Sequence, residues 1–216
     1  GNINGPQSVF MVRIDQTITS SELSKEDLMS DAQVLVLVGS LRAESMNRQI
    51  AETAVTVAPS GAEVVVYDGL GDVPFYNEDV DVEGAVPAAA LDLRAAAEKA
   101  SALLLVTPEY NGTIPAVLKN AIDWLSRPYG AGAMVGKPVV VISASPSGNG
   151  AKWAHEDASK AVRIAGGSVL EDVQLSIGGT GDKFGSAHPR ENAEVSGEIG
   201  HVVAELVKAS NELVSA

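Results

Sequence analysis

Three runs, "QVLVLV" (33 to 38), "SALLLVT" (101 to 107) and "KPVVVISAS" (137 to 145), are continuously apolar through their centres. A strand with one face in water would carry a polar residue at every second position. Continuous apolar sequence therefore implies burial on both faces, the condition of a parallel sheet covered by helices on each side. Two further runs, "AEVVVY" (62 to 67) and "SVLEDVQLS" (168 to 176), bring the strand candidates to five. Between and after them lie stretches with helical composition, at 46 to 61, 86 to 100, 114 to 128, 150 to 167 and 191 to 216, several ending in Pro or Gly where a helix stops. Five β/α units with right-handed crossovers predict an α/β, doubly wound, five-stranded parallel sheet of order 2-1-3-4-5 with helices on both faces. In that order the topological switch lies beside the first strand, and ligands bind outside the carboxyl ends of the strands. The loops after the first, third and fourth strands are then expected to share one crevice.

Composition narrows the function. The 216 residues suffice for one substantial core, and no linker composition interrupts the body, so residues 31 to 216 are read as a single domain. Residues 1 to 30 are read as a leader. Its opening, "GNINGPQSVF", reads equally as a cloning remnant, with Met11 as the native start, or as a genuine tail. A formal net charge of -13, from 28 acidic and 15 basic residues, argues against nucleic acid and anionic membrane as partners. No apolar run approaches the roughly 20 residues of a spanning helix, and no secretory pattern opens the chain, so a cytoplasmic location is expected. There are no cysteines. His155, His188 and His201 have no metal-ligand spacing, and "EDVDVE" (78 to 83) reads as a solvated acidic loop, so no metal site is expected.

The turn after the first strand, "GSLRAESMNR" (39 to 48), has one glycine and lacks both G-x-G-x-x-G and the Walker pattern. It offers Ser40, Ser45 and Asn47 as neutral donors and Arg42 as a charge, around a helix start whose free N–H groups attract an anion. Short donors around one point suit a terminal phosphate monoester, whereas a pyrophosphate needs glycines for close backbone approach. The same residues also read as ordinary N-caps, with Arg42 in solvent. After the third strand, "TPEYNGTIPAVLKNAIDWLSRP" (107 to 128) predicts irregular backbone at Pro108 to Asn111, with Thr113 as a helix cap and Pro115 in the first turn. Tyr110 either faces a planar heteroaromatic ring or packs on the core. Lys119 and Asp123, at i and i+4, predict a surface pair, and Trp124 a core or interface position. After the fourth strand, "SASPSGNGAKW" (143 to 153) would let a ligand approach closely. "GGTGDKFG" (178 to 185) reads as a loop.

Taken together, "GSLRAESMNR", "TPEYNGTIPAVLKNAIDWLSRP" and "GKPVVVISASPSGNG" (136 to 150), in that order, resemble the NADPH-dependent FMN reductase family, a flavodoxin-like group of quinone, azo-dye and chromate reductases. The resemblance spans about residues 33 to 210. It implies that Ser40, Arg42, Ser45 and Asn47, with the backbone of Leu41 and Met46, hold the FMN phosphate. It further implies that Pro108, Glu109, Tyr110 and Asn111 meet the isoalloxazine ring, largely through backbone groups, and that Ala144 and Ser145 close its other edge. The activity implied is hydride transfer from NADPH or NADH through FMN to a quinone or similar small acceptor, with no catalytic side chain because the chemistry sits at flavin N5. A homodimer or homotetramer is implied, with the helix carrying Trp124 and Arg127 expected at the subunit contact. The alternative is a flavodoxin-like electron carrier without nicotinamide activity, which the strong acidity would suit.

Overall fold

The computed structural model describes residues 32–216. The leader reading of residues 1 to 30, Met11 included, lies outside the described residues. The strands are β1 (Ala32–Val38), β2 (Ala62–Val66), β3 (Ala102–Thr107), β4 (Pro138–Ala144), β5 (Ser168–Val169) and β6 (Leu175–Ile177). The helices are α1 (Met46–Thr56), α2 (Ala88–Lys99), α3 (Ala116–Leu125), α4 (Lys152–Ile164), α5 (Thr180–Phe184) and α6 (Ala193–Val214). All strand pairs are parallel, in the order β2-β1-β3-β4-β5, with β6 also pairing with β4. The flavodoxin-like order expected from the sequence is the order found.

Alternate residues of the central strands serve opposite cores. Leu35, Leu37, Leu103, Leu105, Val139 and Val141 pack with α2, α3 and α4. Val34, Val36, Leu104, Val106, Val140 and Ile142 pack with α1 and α6. Each such side chain contributes up to about 1.5–3 kcal/mol by leaving water, which is why β3 and β4 are buried at every position.

The run 168 to 176 departs from its prediction as one strand. β5 pairs with the start of β4 and β6 with its end, and between them the chain turns at Leu170 to Val173. Glu171 and Asp172 are exposed there, and Glu171 meets Arg163 at 2.7 Å. Two adjacent carboxylates cannot enter a covered sheet, so the chain loops out and re-enters at Leu175. The stretch 178 to 185, expected as a loop, forms the single helical turn α5, anchored by the buried Phe184.

The long connection from β2 to α2 is stapled to α3. Asn120 Nδ2 donates to the carbonyls of Val73 and Pro74 at 3.2 and 3.0 Å, and its Oδ1 accepts from Tyr76 N at 2.8 Å. Trp124 Nε1 donates to Pro74 O at 2.7 Å. Trp124 is thus wholly internal to the subunit, which removes it from the expected contact surface. Asp81 is not solvated as its acidic run implied. Arg94 grips it with two nitrogens at 2.7 and 2.9 Å, Tyr76 Oη donates to it at 3.1 Å, and the Arg94 hydrogen bonds hold its carboxyl below the ordinary 3.8. Lys119 and Asp123 do form the expected surface pair, at 2.7 Å.

Replacing Asn120 with Ala strands the Tyr76 N–H and two carbonyls, and should lower the urea-unfolding free energy by about 2–3 kcal/mol. Asp123→Ala, at the exposed pair, should cost about 0.5 kcal/mol or less in the same measurement.

Candidate functional site

At the carboxyl end of β1 the chain leaves the sheet through Gly39, whose N–H donates to Val106 O at 2.8 Å. A Cβ on Gly39 would stand 3.1 Å from Thr107 Oγ1 and 3.3 Å from Pro108 Cδ. The loops after β1 and β3 therefore touch at a point where only hydrogen fits. From there residues 42 to 45 form a β-turn, closed by Ser45 N donating to Arg42 O at 3.1 Å, which aims α1 back at the crevice.

Ser45 caps α1, its Oγ accepting from Arg48 N at 3.0 Å while its own O–H stays available. The first turn of α1 contains no acidic residue, so its free N–H groups and positive dipole end are uncontested. Ser40 and Asn47 are buried beside it, and Asn47 Oδ1 has no hydrogen-bond partner. The unpaired atom is an acceptor, which phosphate oxygens cannot satisfy; toward a phosphate the amide offers its Nδ2 hydrogens. Leu41 and Arg42 are exposed on the rim, where Leu41 leans on Gly71, and Met46 is half-buried. The six positions read from the sequence are thus gathered around one helix end. The donor chemistry fits a phosphate monoester.

The loop after β3 opens with Thr107 Oγ1 donating to Pro108 O at 2.7 Å. Tyr110 to Thr113 then form a tight reversal, Tyr110 N to Thr113 O at 2.9 Å and Thr113 N to Tyr110 O at 3.2 Å. Asn111 and Gly112 have φ of 53° and 78°, the conformation that Asn-Gly adopts most readily. Thr113 is consequently not the helix cap expected of it; its backbone is spent in the reversal, and α3 is preceded by Pro115. Glu109 points its carboxylate away along the sheet edge, where Oε2 accepts from Ala154 N at 3.0 Å and closes the first turn of α4. With Pro108 O and both Tyr110 backbone groups already bonded, the N–H groups of Glu109 and Asn111 are the backbone donors of this stretch left to meet a ring.

Ala144 is buried at the end of β4, and Ser145 begins the next loop with its N–H bonded to Ile177 O at 3.0 Å. Beneath this loop lies a polar cluster that sequence reasoning missed. Gln174 Nε2 donates to Leu170 O at 2.6 Å, leaving Oε1 to accept from His155 Nε2–H at 2.6 Å. His155 Nδ1 is then an acceptor, 3.0 Å from Ser143 Oγ and 3.2 Å from Ser176 Oγ. Ser143 spends its one hydroxyl proton on Gly150 O at 2.7 Å, tying the far end of the loop to the strand, so the hydroxyl left to donate to His155 Nδ1 is that of Ser176. Burial holds the imidazole below its ordinary 6.5, against smaller upward pulls from Gln174 and Glu156. The signal was present in the sequence as a serine inside an otherwise apolar strand, which must find a partner. Its partner, twelve residues on, carried no motif. Among the described residues no cluster of His, Cys, Asp or Glu is placed to hold a metal, and no helix is long and apolar enough to cross a membrane.

The profile of the family described as NADPH-dependent FMN reductase matches residues 32–182. Over 151 residues the chain is 40% identical to a quinone reductase of Pseudomonas putida, covering 70% of this chain and 80% of that one. It is 42% identical over 113 residues to a quinone reductase of Escherichia coli K12, covering 52% of this chain and 60% of that one. Among solved structures, FerB, a flavoenzyme NAD(P)H:(acceptor) oxidoreductase from Paracoccus denitrificans, superposes with a TM-score of 0.71 at 31% identity, over 82% of this chain and 98% of that one.

Because His155 is folded in its neutral form, an unfolded chain takes up a proton near 6.5 that the folded chain refuses. The stability tied to this residue is intact above that pH and declines as pH falls below it. Urea unfolding at pH 7.5 and 5.5 should therefore show the parent protein losing more stability on acidification than His155→Gln.

Proposed function

The chain belongs to the NADPH-dependent FMN reductase family and is an FMN-dependent NAD(P)H oxidoreductase, and from that premise we propose that it reduces a quinone or a similar small acceptor. The quinone reductase relatives support that acceptor class. Free flavin, azo compounds and chromate remain the neighbouring choices.

Bound FMN supplies a ring that accepts hydride from a nicotinamide and returns it to an acceptor. The residues that would hold it are those around the start of α1 and on the loops after β3 and β4. Ser40, Ser45 and Asn47, with the N–H groups of Leu41 and Met46, would surround the phosphate, and Arg42 would add its charge. The backbone of Pro108, Glu109, Tyr110 and Asn111 would orient the ring, and Ala144 and Ser145 would bound its other edge. Donors fixed by the scaffold stabilise charge at the ring without reorganising. We assign no side-chain acid or base. The observation that carries the reading is the start of α1, whose first turn holds no acidic residue and whose cap Ser45 keeps its O–H free, next to the loop of 108 to 111 that Gly39 touches.

A homodimer or homotetramer is part of this proposal. The C-terminal end of α3 supports it, because Arg127 borders an apolar cavity of about 480 Å³ shared with the exposed Tyr129, Val135 and Ile164. Light scattering of Ile164→Asp should give a smaller particle than the parent if this end is the contact. A cytoplasmic location is also proposed, consistent with dependence on a reduced nicotinamide.

The test is a visible spectrum after loading with FMN and desalting, followed by NADPH without oxygen. Retained flavin that bleaches is expected; retained flavin that stays oxidised would favour the electron carrier. Asn47→Asp, which sets a carboxylate against the phosphate at constant size, should weaken FMN retention by about tenfold or more. An alanine substitution in the crevice that abolished turnover at full FMN occupancy would refute the absence of a side-chain acid or base.

A further inference from the structure

We propose that Trp153 is the specificity-determining wall of this crevice, selecting planar aromatic acceptors by offering them its indole face. The inference rests on the flavin reading above and adds to it a residue outside the three motifs that carry the family resemblance.

Trp153 is the second residue of α4 and is 59% exposed. Single exposed apolar side chains are ordinary on protein surfaces, so exposure alone assigns it nothing. Its support and its position distinguish it. Ala151 N is bonded to Asn149 Oδ1 at 3.2 Å and Ala154 N to Glu109 Oε2 at 3.0 Å. His155, the second residue after it, is locked among Ser143, Ser176 and Gln174. The backbone on both sides of Trp153 is therefore tied to the crevice's own loops, and its ring is displayed from a fixed base at little conformational cost.

The ring lies over the reversal after β3. A Cβ on Gly112 would be 3.5 Å from Trp153 Cε3, so the indole edge stands beside this turn within the reach of one added carbon. The same turn carries Tyr110, 51% exposed. Leu41, 65% exposed, stands on the loop after β1. Leu41 on the loop after β1, Tyr110 on the loop after β3 and Trp153 at the start of α4 are thus three large exposed side chains, and the two aromatic ones stand at a single turn. A quinone is planar, apolar on its faces and without net charge, so it can stack on such a ring in offset or edge-on geometry. It also meets no repulsion from a chain of net charge -13.

The experiment compares FMN-loaded parent, Trp153→Ala and Trp153→Phe in steady-state assays with NADPH. One acceptor is a naphthoquinone and the other is ferricyanide, which has no ring to stack. Trp153→Ala should raise KM for the naphthoquinone about tenfold, with Trp153→Phe recovering most of the loss. KM for NADPH and for ferricyanide should stay within about twofold, with flavin per chain unchanged. An unaltered naphthoquinone KM would overturn the proposal. So would an equal change for both acceptors and NADPH, which would mean a disturbed flavin site, or a change of particle size in light scattering, which would make Trp153 a subunit contact. Failure of the flavin reading is separate and earlier, because it shows as absent bleaching in the parent protein.

Discussion

Burial of β1, β3 and β4 on both faces is the constraint on which the rest of the molecule depends. It commits the backbone of those strands to the sheet ladder and their apolar side chains to one of two cores. No group inside the sheet is left to bind anything. Recognition is thereby exported to the carboxyl ends, where the hydrogen-bond ladder stops and the loops supply unspent donors. Gly39, pressed against Thr107 and Pro108, brings the first two of those loops into contact.

Loops alone would not hold a planar cofactor in one place, and here they are tied to one another by side chains. The Glu109 carboxylate runs from the loop after β3 to the start of α4. Ser143 reaches forward to Gly150 and sideways to His155 and Ser176, so the strand end, the loop and β6 share one buried network. A buried polar network of this kind resists displacement, because moving any member leaves a polar group without water. The same principle holds the connection after β2, where Asn120, Trp124 and Arg94 satisfy backbone or carboxylate groups that would otherwise be stranded beside α3.

The acidic surface does not contradict an anionic cofactor. The net charge of -13 acts over a distance set by salt screening, about 8–10 Å in physiological conditions. The first turn of α1 itself contributes no carboxylate, and Asp68, which reaches that turn, is paired with Arg48 at 2.6 Å. The dipole end of α1 favours an anion at that point. Acidity by itself suited an electron carrier; family membership favours the reductase.

The sequence by itself determined the sheet, its strand order and the crevice. Uninterrupted apolar runs state burial on both faces, while hydroxyls, an arginine and an asparagine beside a single glycine support the proposal of a phosphate there and read equally as helix caps. These signals are local, readable within about ten residues. Tertiary structure alone decided where Glu109 points, that Thr113 closes a turn instead of capping a helix, that the last strand breaks at Glu171 and Asp172, and that Asp81 and Trp124 are internal. In three of these cases the deciding partner is distant along the chain: Ala154 for Glu109, Arg94 for Asp81, Pro74 for Trp124. A contact between residues far apart in sequence leaves no periodicity and no motif. Only the folded chain, having closed the intervening loops, shows which polar groups must satisfy each other.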